Sequence, residues 1–163
     1  MKWLCALLIV MANCNICSAQ AISSDYIFLY PQEIFDSDTC CWRMLGADKK
    51  YLDASELIKE YLLKSKNISN RHSLHWHLGQ MLAKAGNTKE AKHYFKKTYN
   101  IFYRWFGGPD GREWYYYAKG TVAFLDRDKN ELIRILNKWP EEYRMDKNYL
   151  MLKTLLEGWE KSY

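Results

Sequence analysis

Residues 76–99 read WHLGQMLAKAGNTKEAKHYFKKTY. Large and small side chains sit side by side at helical separations: Leu78-Gly79, Leu82-Ala83, then Gly86, Ala91, Phe95 and Thr98. Apolar residues recurring at three and four predict two amphipathic helices, and Gly86 marks the turn between them. Asn87 followed by Glu90 makes a capping box for the second helix. Gly79 and Ala91 carry so little bulk that the two backbones can approach closely. Large–small pairs at such spacing are the pattern of a stacking repeat, whose chemistry is packing and presentation rather than turnover.

The same periodicity extends outward in both directions. Upstream, Tyr51, Ala54, Leu57, Ile58, Tyr61 and Leu62 predict a helix over Lys49 to Leu63. Before it, Pro31-Gln-Glu33 resembles a helix start, and Ile34, Cys41, Trp42 and Leu45 supply the stripe of a helix ending near Gly46. Downstream, Tyr99 and Phe102 prolong the stripe of Phe95 as far as the turn cluster Gly107 to Gly111. Asp110 and Glu113 open a further helix lined by Trp114, Tyr117, Ala118, Thr121, Val122 and Leu125. Asp128 and Glu131 cap the next, which buries Leu132, Ile135 and Leu136 and closes at Trp139-Pro140. Tyr149, Leu152, Leu155, Leu156 and Trp159 mark the last. The fold class is therefore all-α: roughly seven helices on short connections, paired antiparallel and stacked side by side.

The chain has 163 residues, 48% hydrophobic and 16% aromatic, enough for one modest domain with a continuous core. Its formal charge of +5 is spread over lysines and arginines that solvate helix faces, which argues against nucleic acid as a partner. Met1 to Ala21 reads as a secretory signal: Lys2, an apolar run from Trp3 to Ala12, and small residues at Ala19 and Ala21. The run is too short to span a membrane comfortably, so no stable anchor is expected after cleavage, and the protein is placed as periplasmic or secreted. Residues 22–163 form the single mature domain. Cys40 and Cys41 remain in it. Adjacent cysteines on a helix point about 100° apart, so one core thiol beside a semi-exposed one is expected. A vicinal disulfide and an intermolecular bridge are the alternatives.

Leu78, Gly79, Leu82, Gly86, Ala91 and Phe95 resemble the tetratricopeptide repeat, closely over His72 to Ile101. A second copy at Trp114, with Tyr117-Ala118, Thr121 and Leu125, and a third at Trp42, with Leu45-Gly46, flank it. The resemblance implies a short solenoid of helical hairpins that binds proteins or peptides. In that family the first helix of each pair lines the groove. This nominates Trp76, Gln80, Lys84, Arg112, Tyr116 and Lys119 as protein-binding residues.

The remaining chemistry is sparse. His72, His75 and His77 crowd one segment, but His77 is turned away from the face shared by the other two. Zinc needs three or four converging ligands, so no metal and no cofactor is expected. Asp126, Asp128 and Glu131 are acidic neighbours at a turn, and capping accounts for the last two. Helical geometry spreads Trp114 to Tyr117 around the whole helix, so two of those rings are expected to stay partly exposed beside Arg104, Arg112 and Lys119. The expected function is a non-catalytic, protein- or peptide-binding adaptor of the cell envelope. An immunity or inhibitor protein against an exported toxin, an envelope glycan hydrolase, and a small-ligand or metal carrier are the other readings.

Overall fold

A computed structural model describes residues 24–163. The signal segment Met1 to Ala21 lies outside the described residues. The described chain is all-helical, with no strand among those residues. The helices are α1 (Ser24–Ile27), α2 (Gln32–Phe35), α3 (Cys41–Ala47), α4 (Tyr51–Lys64), α5 (Arg71–Lys84), α6 (Thr88–Lys96), α7 (Ile101–Phe106), α8 (Gly108–Leu125), α9 (Lys129–Asn137) and α10 (Lys147–Glu157). A 3-10 turn at Glu141–Tyr143 precedes α10. Chain neighbours pack in sequence: α3 on α4, α4 on α5, α5 on α6, then α8 on α9 and α9 on α10. Helix α8 also meets α6, α7 and α10, so it joins the two halves. No helix among the described residues is long and apolar enough to cross a membrane.

Three helix-to-helix turns share one geometry. Lys49, Gly86 and Arg127 each have a positive φ, of 61°, 82° and 57°. In each turn the following amide donates back to the preceding helix: Lys50 to the Leu45 carbonyl, Asn87 to Leu82 and Asp128 to Ala123, all at 2.9 Å. In the second and third turns the next side chain caps the new helix, Asn87 accepting from the Glu90 amide at 3.4 Å and Asp128 from the Glu131 amide at 2.9 Å. The N-cap half of both expected capping boxes is thus present, while the Asn87 and Asp128 amides bond back to the preceding helix instead of to the Glu side chains. Only Gly86 occupies its left-handed position without the steric cost a Cβ brings.

Two glycines set the closest approaches. Phe95 is fully buried, and a Cβ on Gly79 would lie 2.7 Å from its ring. Gly120, at the same distance before Arg127 as Gly79 is before Gly86, faces Leu152 of α10, which a Cβ would meet at 2.6 Å. This register differs from the Tyr117-Ala118 pairing read from the sequence. Trp76 continues the seam, 4.5 Å from Phe95 and 4.8 Å from Trp114 between ring centroids.

The first half departs from expectation at one point. The helix expected from Pro31 to Gly46 breaks between Phe35 and Cys41. Asp36 pins the break: its carboxylate accepts from Trp42 Nε1 at 2.9 Å and Gln32 Nε2 at 3.0 Å, and its carbonyl from Arg43 Nε at 2.6 Å. The buried Gln32 amide then clamps the start of α5, donating to the Asn70 carbonyl at 3.0 Å and accepting from its amide at 2.7 Å. At the start of α3, Cys40 and Cys41 are joined by a disulfide, the alternative to the separate core and semi-exposed thiols that helical spacing predicts.

Gly79→Ala should destabilise the fold by about 1–3 kcal/mol through overpacking, and Phe95→Ala by about 3–5 kcal/mol through the cavity it leaves, both read by urea unfolding. Lys49→Gly should do the reverse. Lys49 is exposed, so relieving its left-handed backbone raises stability by about 0.5–1 kcal/mol, whereas Gly86→Lys lowers it.

Candidate binding site

The second departure from expectation creates the site. The helix lined by Phe95 does not continue through Phe102. Thr98 is buried, and its hydroxyl donates to the Phe95 carbonyl at 2.8 Å. Asn100 then starts a new helix, accepting from the Phe102 amide at 2.9 Å and the Tyr103 amide at 3.2 Å. The resulting α7, with sequence IFYRWF, buries none of its residues. Phe102 is 67% exposed, Trp105 66% and Phe106 81%. Arg104 lies over the rings of Trp105 and Tyr116, at 5.1 and 5.9 Å. The expected exposure of two rings within Trp114 to Tyr117 is not found: Tyr115, Tyr116 and Tyr117 are buried and Trp114 is half-buried. The exposed aromatic face lies one element earlier, because α8 is covered by four neighbours and α7 by α8.

Behind α7 lies a cavity of about 530 Å³, lined chiefly by His72, Tyr103, Asp110, Glu113, Trp114 and Asp146. A second hollow of about 280 Å³ shares Asn70, His72 and Trp114 with it and extends to Trp76 and His77. Three rings, of His72, Tyr103 and Trp114, form part of the wall. His72 stands 5.6 Å from both Tyr103 and Trp114, and the Trp114 indole is fixed by donating to the Thr98 carbonyl at 2.6 Å. One end is acidic. Asp110 lies in the first turn of α8, and Asp146 caps α10 by accepting from the Asn148 amide at 2.7 Å.

Glu113 is the anomaly. It is 6% exposed, and its Oε1 has no hydrogen-bond partner. Burial pushes its carboxyl up from the ordinary range, Asp146 and Asp110 push it further, and Arg112 opposes them. Arg112 does not pair with it directly. Its guanidinium lies 5.3 Å from the Tyr143 ring centroid, and its own Nε is buried without a partner. The sequence sets Glu113 with Asp110 at the opening of this helix; in the structure its side chain is buried. The signal was present in the sequence, since Glu113 stands one turn before Tyr117 on the apolar stripe of α8.

The nominated residues divide between two directions. Trp76 is buried at the floor of the second hollow, and Gln80, one turn further on α5, contacts His77 at 3.1 Å. Lys84 is exposed near the Tyr51 ring. Arg112 borders Tyr143. Tyr116 is buried against Trp139, 5.6 Å away, and Lys119 pairs with Glu131 at 3.1 Å, so these two look toward α9 and the segment after it. The repeat residues Leu78, Gly79, Leu82, Ala91 and Phe95 are all buried, and Gly86 makes its turn. No group of three or more His, Cys, Asp or Glu side chains among the described residues converges as a metal site would require. His75 meets Tyr94 and His77 meets Trp42.

Comparison with protein-family models, curated proteins and solved structures returns no match.

Burial lowers the pKa of His72, His75 and His77 below the usual histidine value. The unfolded chain then binds more protons than the fold as pH drops through about 6.5, so their contribution is complete above that value and is lost below it. Glu113, shifted upward, acts in the opposite sense. Chemical unfolding at pH 7.5 and 5.5 should show a lower midpoint at pH 5.5, and His77→Gln should flatten that difference.

Proposed function

We propose that this chain is a non-catalytic adaptor of the cell envelope, built as a short tetratricopeptide-like stack and binding a protein or peptide segment. The three turns of common geometry and the paired glycines Gly79 and Gly120 support the stacked-hairpin reading. Export by residues 1–21, to the periplasm or outside the cell, belongs to the same proposal. The observation that carries the binding function is α7. Phe102, Trp105 and Phe106 all lie more than half exposed on one short helix beside an open cavity. Covering a side chain of this size is worth about 1.5–3 kcal/mol, and tryptophan with arginine is the composition of interface hot spots. A partner segment would lie across α7 and continue over Trp114 toward the exposed edges of α5, where Gln80 and Lys84 lie.

Glu113 and Asp146 also keep a glycan-hydrolase reading in view, because a buried carboxyl whose pKa is raised beside a second carboxyl is the environment of a general acid. Against it, one oxygen of Asp146 is committed to capping α10, and the unpaired oxygen of Glu113 is sealed from solvent. Release of reducing ends from cell-wall oligosaccharides, lost in Glu113→Gln, would replace the binding reading with this one.

A photo-crosslinker at Tyr26, remote in sequence, and another at Trp105 test the adaptor reading in envelope extract. Crosslinking to one defined partner from position 105 and not from position 26 is the expected result. A Phe102→Ser, Phe106→Ser variant with an unchanged helical spectrum should lose that partner about tenfold or more in affinity. Equal capture by the wild type and the variant would remove α7 from the interface.

A further inference from the structure

We propose that the Cys40–Cys41 disulfide is a redox switch that sets the wall shared by the two hollows. The inference goes beyond the peptide-binding reading and does not depend on it. At the first position of α3, Cys41 has a φ of 58°. That left-handed backbone is sterically unfavourable for any residue with a Cβ. The disulfide ties Cys41 to its chain neighbour and closes a ring through the peptide bond between them, which holds the backbone there. From that turn Trp42 and Arg43 reach back to Asp36, bonding its carboxylate and its carbonyl. Both cysteines are half-buried, and Asp38 and Thr39 beside them are exposed, so the bond lies at the surface rather than sealed in the core.

Two contacts carry the state of this loop to the hollows. Through Asp36 the loop holds Gln32 Nε2, and Gln32 grips both backbone groups of Asn70. Asn70 lines both hollows and caps α5, accepting from the Ser73 amide at 3.0 Å. Through Trp42 the loop meets His77, 4.9 Å away between ring centroids, and His77 lines the second hollow. A dithiol is the reductant that opens the bond. One of its thiolates attacks one cysteine sulfur, and the other cysteine leaves and takes a proton. The second reductant thiolate then displaces the first cysteine, which is also protonated, and the reductant departs as a disulfide. Two electrons and two protons pass to Cys40 and Cys41, and a disulfide oxidant reverses the exchange. Phe35, stacked on Tyr61 at 3.8 Å, and Trp42 are buried on either side, and α3 stays packed on α4. The motion is therefore confined to residues 36–41. Freed of the ring, Cys41 leaves the left-handed region and Asp36 parts from Trp42 and Arg43. Gln32 loses the carboxylate that orients it, and its grip on Asn70 loosens.

The full chain, oxidised in air, is alkylated with iodoacetamide before and after dithiothreitol, and peptide mass mapping locates the label. Both forms are followed by amide hydrogen exchange and by the indole N–H signals in NMR. Cys40 and Cys41 should take no label before reduction and one each after it. The reduced chain should keep its helical spectrum, exchange the Asn70 amide about tenfold faster or more, and shift the Trp42 indole proton, identified with Trp42→Phe. Cys40→Ser, Cys41→Ser should show the fast Asn70 exchange without reductant and no further response to dithiothreitol. Should that variant fail to fold, the wild type with and without dithiothreitol decides. Free thiols at both positions in the oxidised chain overturn the proposal. Reduction with Asn70 exchange unchanged also overturns it, even where the Trp42 signal moves, because that ring is next in sequence to Cys41. Loss of the whole helical spectrum on reduction overturns it too, since the bond would then hold the fold rather than switch one wall. None of these readouts needs a partner, so the result stands whatever crosslinking from position 105 returns.

Discussion

The ring of Phe95 occupies the space a side chain at Gly79 would need, and the rest of the site is hung from that contact. It draws α5 and α6 together closely enough for Trp76 to stack beside Phe95. Trp76 in turn supports Trp114 and Tyr117, 4.8 and 5.0 Å away, and so sets where α8 lies against the first hairpin. Trp114 is then both the far wall of the seam and the near wall of the cavity. A change at Gly79 would therefore be felt at Trp114 without touching it, through displaced rings rather than through lost bonds.

Long amphipathic elements were readable from sequence, and the elements set by single polar contacts were not. Helices α4, α5, α6, α9 and α10 carry apolar residues at three and four, and the N-caps stand where Asn87 and Asp128 predict them. The breaks at Asp36 and Thr98 were missed, because each is made by hydrogen bonds that periodicity does not register. Asp36 collects Trp42, Gln32 and Arg43 from different turns, and Thr98 returns its hydroxyl to Phe95. The shared turn geometry was half hidden for a similar reason: glycine announces it at Gly86, whereas Lys49 and Arg127 adopt the same backbone without the residue that signals it. Within the site, the aromatic richness around the Gly107 turn was legible. Its division into a covered α8 and an uncovered α7 depended on where Asn100 restarts the helix.

Glu113 illustrates how one carboxyl can be assigned opposite roles by its surroundings. At the mouth of a helix an acid is ordinarily a solvated complement to the amide dipoles. One turn deeper, against Trp114 and beside Asp146, the same group loses water and gains a like-charged neighbour, and both effects favour its protonated form. A glutamine of equal size would fill the space at less electrostatic cost.

Arg127 ties the turn between α8 and α9 to the last residues of the described chain. Its guanidinium donates to the Trp159 carbonyl at 2.6 Å and reaches that of Lys161 at 3.5 Å, while Tyr163 tucks its ring between Phe95 and Phe124. A left-handed backbone at an arginine is tolerable while those carbonyls hold the side chain in place. Fraying of residues 159–163 would release the clasp and uncover Phe95 and Phe124 together, making the tail a latch whose opening loosens both hairpins in one cooperative event.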